Sequence, residues 1–448
     1  MNTPIVDFVK SYNEKDMSRL HMPGHKGHPY LGCEPFDITE VYGADVLSSA
    51  CGIIEESENN ATELFGTAHT FYSTEGSSLA IRTMLSLVIS DWEHNLNGCR
   101  PFILAARNVH KSFVYGCALL DIDVEWLYPD DFKSLCSCKV TAATVDKKLS
   151  EMPVKPAAVY LTSPDYLGFV QDIKGIATVC DKHGIPLLVD NAHGAYTRFL
   201  EPSRHPMDLG ATMCSDSAHK TLPVLTGGAY LHISKKAPAS YVELARNAMA
   251  VFASTSPSYL IMQSLDLCNQ YLADHYTEKL HNCIEKVNKL KSDIRSLGFS
   301  VEESEPLKLV IDTLKAGYSG EELNEILRNH RIEAEFADPE YLVMMFTPEI
   351  TDRDFERVMT AFSSIPLKEA CEKPSFPMER AITSCSIRNA VFSRRTIVPT
   401  QEAAGRISAS PSVSCPPAIP IVVSGEVITE TAVQLFEYYG IDTVEVMK

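Results

Sequence analysis

A serine, a histidine and a lysine stand close together in Ser217-Ala218-His219-Lys220, just past an apolar run and before the Gly227-Gly228 pair. A lysine acts as a nucleophile only once its amine has lost a proton, which a partly buried or electropositive setting favours. Other polar side chains that do chemistry recur at similar places. Asp190 closes the apolar run "IPLLVD", His193 follows it, His110 and Asp165 each follow an earlier apolar run, and Gly76, Ser77 and Ser78 precede a helical pattern.

One cofactor would use most of these groups together. Pyridoxal phosphate (PLP) requires an aldehyde-binding lysine, a carboxylate that keeps the pyridine nitrogen protonated, donors for a phosphate and a flat group against the ring. Lys220 is the expected Schiff-base lysine and Asp190 the expected pyridinium partner. Gly76, Ser77 and Ser78 would cradle the phosphate with the backbone N–H groups of a helix N-terminus, and Ser217 would add a hydroxyl. Each residue also has an ordinary alternative, since a loop lysine is usually solvated and an aspartate after a strand often caps a helix or forms a turn. Their convergence on one predicted sheet edge favours the cofactor.

The elements that must position them follow βαβ grammar between Pro101 and Ser234. "PFILAA", "IDVEWLY", "AAVYL", "IPLLVD" and "GGAYLHI" read as strands, while "FVYGCALL" and "IKGIATVCDKHG" read as helices, the second ending at Gly184. Ligands of such sheets bind outside the carboxyl ends of the strands. Ile81, Met84, Leu85 and Val88 have the spacing of a buried helix face, which places Ser77 and Ser78 at its start. A long helix is predicted from about Ser258 to Leu297. Beyond it, the strand-like "LKLVIDT" and a capping box from Ser319 to Glu322 suggest a smaller α+β domain. Pro366 to Pro399 reads as irregular, and the proline-rich "SPSVSCPPAIPIVVSGE" as a loop. The expected division is an N-terminal segment over 1–60, a PLP-binding large domain over 61–297 and a small α+β domain over 298–448.

Composition limits the function classes. A chain of 448 residues exceeds one compact core and suggests two or three domains. No apolar stretch reaches the roughly 18 residues of a membrane helix, and nothing marks the first residues for secretion, so a cytoplasmic protein is expected. The 13 cysteines contain no CxxC pair, which favours reduced core thiols over zinc or disulfides. A net charge of −18 argues against nucleic acid and suits a cationic substrate.

Ordered along the chain, "HMPGHKG" (21–27), "DITE" (37–40), "STEGSS" (73–78), "VHKS" (109–112), "TSPDYLG" (162–168), "VDNAHGAY" (189–196), "SAHKTLPVLTGGAYLH" (217–232), "STSPSYLIMQSLD" (254–266), "AAGRISAS" and "PPAIPIVVSGE" resemble the ornithine/lysine/arginine decarboxylases, in their short bacterial form without a receiver-like domain. The resemblance implies the α/β aspartate-aminotransferase fold (PLP fold type I), with a mostly parallel sheet in the large domain and a smaller α+β C-terminal domain. It implies α-decarboxylation of arginine, lysine or ornithine, with arginine favoured, in a setting of polyamine formation. His110 would stack on the ring and Ala192 would pack against its other face, with His193 nearby. His219 would serve proton transfer or phosphate contact. Thr255 and Ser256 would reach the phosphate of a second subunit, which makes the implied unit a homodimer or larger. His25, in the N-terminal signature, would lie near the active-site entrance.

Several positions depart from the family pattern. Asp165 stands where threonine is usual and would bind the substrate's cationic end, change the reaction geometry or cap a helix. Glu75 replaces asparagine beside the expected phosphate and should weaken cofactor binding unless it points away. Ser410, Cys415 and Ala418 replace glutamate, tyrosine and glycine where the small domain would close on substrate. Two alternatives follow. A PLP aminotransferase or lyase would hold the substrate α-carboxylate with an arginine such as Arg107 or Arg198. A retired family member would keep only a binding role.

Overall fold

The computed structural model describes residues 1–92, 100–130, 132, 134–411 and 419–448. Its strands are β1 (His69–Ser73), β2 (Phe102–Ala106), β3 (Asp123–Leu127), β4 (Ala158–Thr162), β5 (Leu187–Asp190), β6 (Met213–Asp216), β7 (Ala229–Ile233), β8 (Ser300–Val301), β9 (Lys308–Asp312), β10 (Phe336–Ala337), β11 (Tyr341–Met345), β12 (Arg395–Pro399) and β13 (Thr443–Met447). The chain divides into two compact units, one of residues 1–99, 152–160 and 173–278, the other of 100–151, 161–172 and 279–448.

In the first unit the sheet runs β1-β7-β6-β5-β4. β5 and β6 are parallel, and β7 runs against both β6 and β1. The residues of β5, β6 and β7 are all buried, as expected of strands covered on both faces, and the polar Asp190, Ser215, Asp216 and His232 are buried among their apolar residues. Asp190 pairs in register with Ser215, so the carboxyl ends of β5 and β6 lie side by side. The Gly76–Ser90 helix buries Ile81, Met84, Leu85 and Val88 as their spacing predicts.

The second unit holds the parallel pair β2-β3, a four-stranded antiparallel sheet in the order β10-β11-β9-β8 and the antiparallel pair β12-β13. The capping box from Ser319 to Glu322 is formed, each side chain bonding the other residue's backbone N–H.

Two sequence expectations change. The helix predicted from Ser258 to Leu297 is two helices, Tyr259–Asp274 and Tyr276–Ser296, interrupted at His275, whose backbone leaves the helical region at φ −134°. Leu272, Tyr276 and Leu280 are buried at spacings of four straight across the break, so periodicity gives no sign of it. Between Pro366 and Pro399 the chain contains a short helix, Ile387–Val391, and the strand β12. β12 is a half-exposed ribbon held by pairing with β13 and by the Arg395–Glu445 ion pair, partners some fifty residues away that local sequence does not announce.

Candidate active site

Lys220 lies in a four-residue helix, Ala218–Thr221, that follows β6 directly. Its Nζ is 3.1 Å from Nε2 of His193, which is itself buried in the turn after β5. At the end of β5 the Asp190 carboxylate is 1% exposed, accepting from the Ala192 backbone N–H and the Tyr160 hydroxyl, both at 3.3 Å. Burial pushes its pKa up to about 6, opposed by the positive charge of Lys220. The adjacent strand ends thus bring together a carboxyl that titrates near neutrality and an amine beside an imidazole.

Ser217 Oγ is 2.9 Å from Ser77 Oγ, which joins the Lys220 turn to the first turn of the Gly76–Ser90 helix. Gly76 has φ +69°, a left-handed conformation that favours glycine, and space stays open where a Cβ would stand. Its N–H donates to Gly227 O at 2.7 Å. Gly227, at φ +98°, permits this close approach, since a Cβ there would stand 3.1 Å from Thr74 O, whereas a Cβ on Gly228 would meet the Val224 side chain at 2.2 Å. Gly227 therefore lets β7 begin against the Ser73–Gly76 turn. Ser77 and Ser78 sit within the first helical turn, where backbone N–H groups and the helix dipole favour an anion.

His219 donates from Nδ1 to Gly228 O at 3.0 Å, which makes Nε2 its basic nitrogen, and burial lowers its pKa. Ala192 is buried beside Asp190. Thr255 and Ser256 are exposed in the loop after the Ala239–Phe252 helix. Glu75 does turn aside, accepting the Ser254 N–H at 2.5 Å, so its charge serves the loop that carries Thr255 and Ser256. His25 is tied locally, with Nε2 3.2 Å from Asp37 Oδ2 and Nδ1 accepting the Gly27 N–H.

Other singled-out residues belong to the second unit. His110 caps the Lys111–Leu120 helix, its ring accepting the Ser112 N–H. Asp165 is fully buried, and its carboxylate accepts from Ser137 Oγ at 2.5 Å and the Phe169 N–H at 2.8 Å. Burial pushes its pKa up to about 6. Arg107 makes a buried bidentate pair with Glu426 at 2.6 and 2.7 Å, its guanidinium 4.9 Å from the Trp126 ring centroid. In the first unit, Arg198 is likewise engaged, by Asp208 and by Leu64 O. Ser410 accepts a hydrogen bond from Ser408 Oγ through its carbonyl. Cys415 and Ala418 lie outside the described residues.

Sequence reading missed Tyr160 and Asn191. Tyr160 precedes the end of β4 and bonds Asp190, a partnership that depends on strand order and so had no local signal. Asn191 adjoins Asp190 within the quoted "VDNAHGAY", and its position at a strand end was the available signal.

The donor set fits PLP. Asp190 is a buried carboxyl held by two long hydrogen bonds, suited to a cationic ring N–H, and Lys220 stands on the neighbouring strand end. The Ser77 and Ser217 hydroxyls and an open helix N-terminus suit a phosphate.

The chain is 30% identical over 465 residues to the uncharacterized protein YaaO of Bacillus subtilis, covering 97% of this chain and 93% of that one. It is 26% identical to an arginine decarboxylase of the same organism, covering 96% and 91%. Among solved structures, lysine decarboxylase A from Pseudomonas aeruginosa superposes with a TM-score of 0.79 at 17% identity, over 99% of this chain and 80% of that one. The E. coli constitutive lysine decarboxylase gives 0.77 at 16%, over 100% and 82%. These likenesses show the fold, an α/β architecture with a large, mostly parallel sheet and a smaller antiparallel one. The family model "Orn/Lys/Arg decarboxylase, major domain" matches residues 3–310, and that for the C-terminal domain matches 367–443. The chain belongs to the Orn/Lys/Arg decarboxylase family of PLP-dependent enzymes.

Proposed function

We propose that this protein removes the α-carboxylate of a basic amino acid, arginine first, to give the amine and CO2. The observation that carries this reading is that Asp190 closes β5 while Lys220 sits in the short helix just past the neighbouring parallel β6, one a buried carboxyl and the other an amine against His193. Bound PLP supplies an electron sink for the pair released when CO2 leaves. Asp190 holds a proton at the ring nitrogen, and ionisation of its carboxyl strengthens that hold. Ser77, Ser78 and Ser217 hold the phosphate, while Gly76, whose N–H is taken by Gly227 O, shapes the turn that leads into them. Lys220 gives up its amine proton toward His193, which can hand the same proton back for return to the α-carbon, while His219, its Nδ1 bonded to Gly228 O, keeps a bare Nε2 for a contact with substrate or phosphate.

Arginine is favoured because several relatives at 26–28% identity are named arginine decarboxylases. The net charge of −18 suits a cationic substrate. The aminotransferase alternative is disfavoured because both candidate arginines are already committed to carboxylates. The ring-facing role of His110 and the entrance role of His25 rest on the family resemblance. A substrate role for Asp165 would require its bonds to Ser137 and Phe169 to be exchanged.

A homodimer is part of the proposal. Leu20 and Leu31 are 93% and 90% exposed, with Tyr30 and Tyr42 also exposed in the same N-terminal stretch, an apolar surface suited to a second copy. Cytoplasmic location agrees with the seven buried free thiols among the described cysteines. No described helix is long and apolar enough to cross a membrane.

The test is borohydride reduction of the PLP-treated protein followed by peptide mapping. Label on the Lys220 peptide is expected, whereas label elsewhere or none would refute the assignment.

A further inference from the structure

Directly before the Lys220 turn, the last residue of β6 is a carboxylate that the mechanism above does not use. Asp216 is 0% exposed. Its Oδ1 accepts from Asn191 Nδ2 at 2.7 Å, and its Oδ2 accepts from Nε2 of His205 at 2.9 Å and Nε2 of His232 at 3.1 Å. Both histidines and Asn191 are equally buried. The hydrogen bonds join three parts of the first unit: the residue after Asp190, the cap of the Pro206–Leu209 helix and the penultimate residue of β7.

The cluster has the composition of a metal site, because Cys214, His205, His232 and Asp216 place their ligand atoms within 4.8 Å of one another. The imidazole tautomer argues against that use. His205 Nδ1 accepts the Met207 N–H, so the ring proton is on Nε2, the atom that faces Asp216. A metal on Nε2 needs that atom bare and the proton on Nδ1. His232 instead continues a hydrogen-bond chain, its Nδ1 2.9 Å from Thr70 Oγ1, which is 2.8 Å from Thr67 Oγ1.

The arrangement suits an ionised carboxylate, and the two histidines hold the Asp216 pKa well below the usual range against the effect of burial. A buried charge is costly to desolvate, and a well-packed apolar cluster in place of Asp216 and its three donors together would serve the core equally well. What an apolar residue would not supply is a negative charge near Asp190. The Asp216 charge adds to burial in raising the Asp190 pKa, against the positive charge of Lys220.

We propose that Asp216 is a positioning residue for the decarboxylation site, tying the strand end that bears Asp190 to the turn that bears Lys220 through Asn191 and setting the electrostatic balance between them. This inference rests on the functional reading above. The tie removes freedom between the two groups that must meet the same cofactor, and the charge favours a proton on the ring nitrogen held by Asp190.

Two variants separate the tie from the charge. Asp216→Asn keeps the shape and removes the charge, its oxygen accepting from the two histidines and its N–H2 donating to a turned Asn191 amide so that the tie persists. It is expected to lower kcat about tenfold with KM within about threefold, and to move the pH midpoint of the visible band of PLP-loaded protein down by about one unit. Asn191→Ala cuts the tie and keeps the charge, so kcat should fall severalfold while the midpoint stays in place. Unchanged kcat and midpoint in a folded Asp216→Asn protein would overturn the inference and leave the decarboxylase reading intact. If Asp216→Asn does not fold, an Asn191→Ala protein with unchanged kcat would overturn it. Stoichiometric zinc in the wild-type protein, lost in Cys214→Ser, would replace it with a metal site. Wild-type protein that gains no visible band from PLP would overturn both readings.

Discussion

Nζ of Lys220 and Nε2 of His193 lie 3.1 Å apart, so an imidazole stands directly against the amine. A carboxylate partner would favour the ammonium form, whereas an imidazole accepts the proton without adding a negative charge. His193→Ala is expected to lower kcat by about 10²-fold or more while the protein still binds PLP. Steady-state kinetics with an absorbance check decide this, and activity within about threefold of wild type would make the contact incidental.

Asp190 gives a second prediction with a definite sign. Its pKa is pushed up to about 6 by burial, so the carboxyl is neutral below that pH and ionised above it. PLP affinity of the apoprotein should therefore strengthen as pH rises through about 6. Asp190→Asn should remove that dependence and lower kcat by about 10²-fold or more, with a smaller effect on KM. Fluorescence titration of PLP at pH 5.5 and 7.5 measures the first effect.

Glu75 separates two opposite expectations. If its charge repels the phosphate, Glu75→Ala should tighten PLP binding. Because its carboxylate instead holds the Ser254 N–H, the substitution is expected to loosen the Thr255–Ser256 loop and weaken PLP binding severalfold. Glu75→Gln, which keeps an acceptor oxygen, should stay near wild type. PLP dissociation constants of the three proteins are the readout.

The Arg107–Glu426 pair should matter mainly for stability. Removing one partner leaves the other buried and unpaired, so Arg107→Ala or Glu426→Ala is expected to cost about 3–5 kcal/mol. The double variant Arg107→Met/Glu426→Leu should recover much of that loss. Urea denaturation of the three variants tests this.

Asp165 predicts how stability changes with pH. The folded chain keeps this proton up to about 6, and the unfolded chain releases it near 3.9. Between those values the folded state binds more protons, so this contribution to stability falls as pH rises. Asp165→Asn cannot ionise, and relative to wild type it should gain up to about 3 kcal/mol between pH 4 and pH 7. Denaturation midpoints at both pH values measure the difference, and a constant offset would contradict the assignment.

Much of this was legible in sequence, for physical reasons that particular residues illustrate. β5 is apolar up to its last residue because both faces are covered, and the polar residues that close β5 and follow β6 marked Asp190 and Lys220. Ser77 was readable because Ile81, Met84, Leu85 and Val88 keep helical spacing. What sequence does not reveal is pairing across strands. Tyr160 reaches Asp190, and His205 and His232 reach Asp216, only because β4 to β7 lie side by side. Glu75 illustrates the same limit, since its residue type announced a charge near the phosphate but only the fold turns it toward Ser254. The break at His275 was hidden because the buried positions keep their spacing across it.

The central claim is tested most directly by mass spectrometry of the products formed when PLP-loaded protein is given arginine, lysine and ornithine separately. An amine one CO2 lighter than its parent is expected, agmatine first, with no such product from Lys220→Ala. Keto acids, or no product from any of the three substrates, would contradict it.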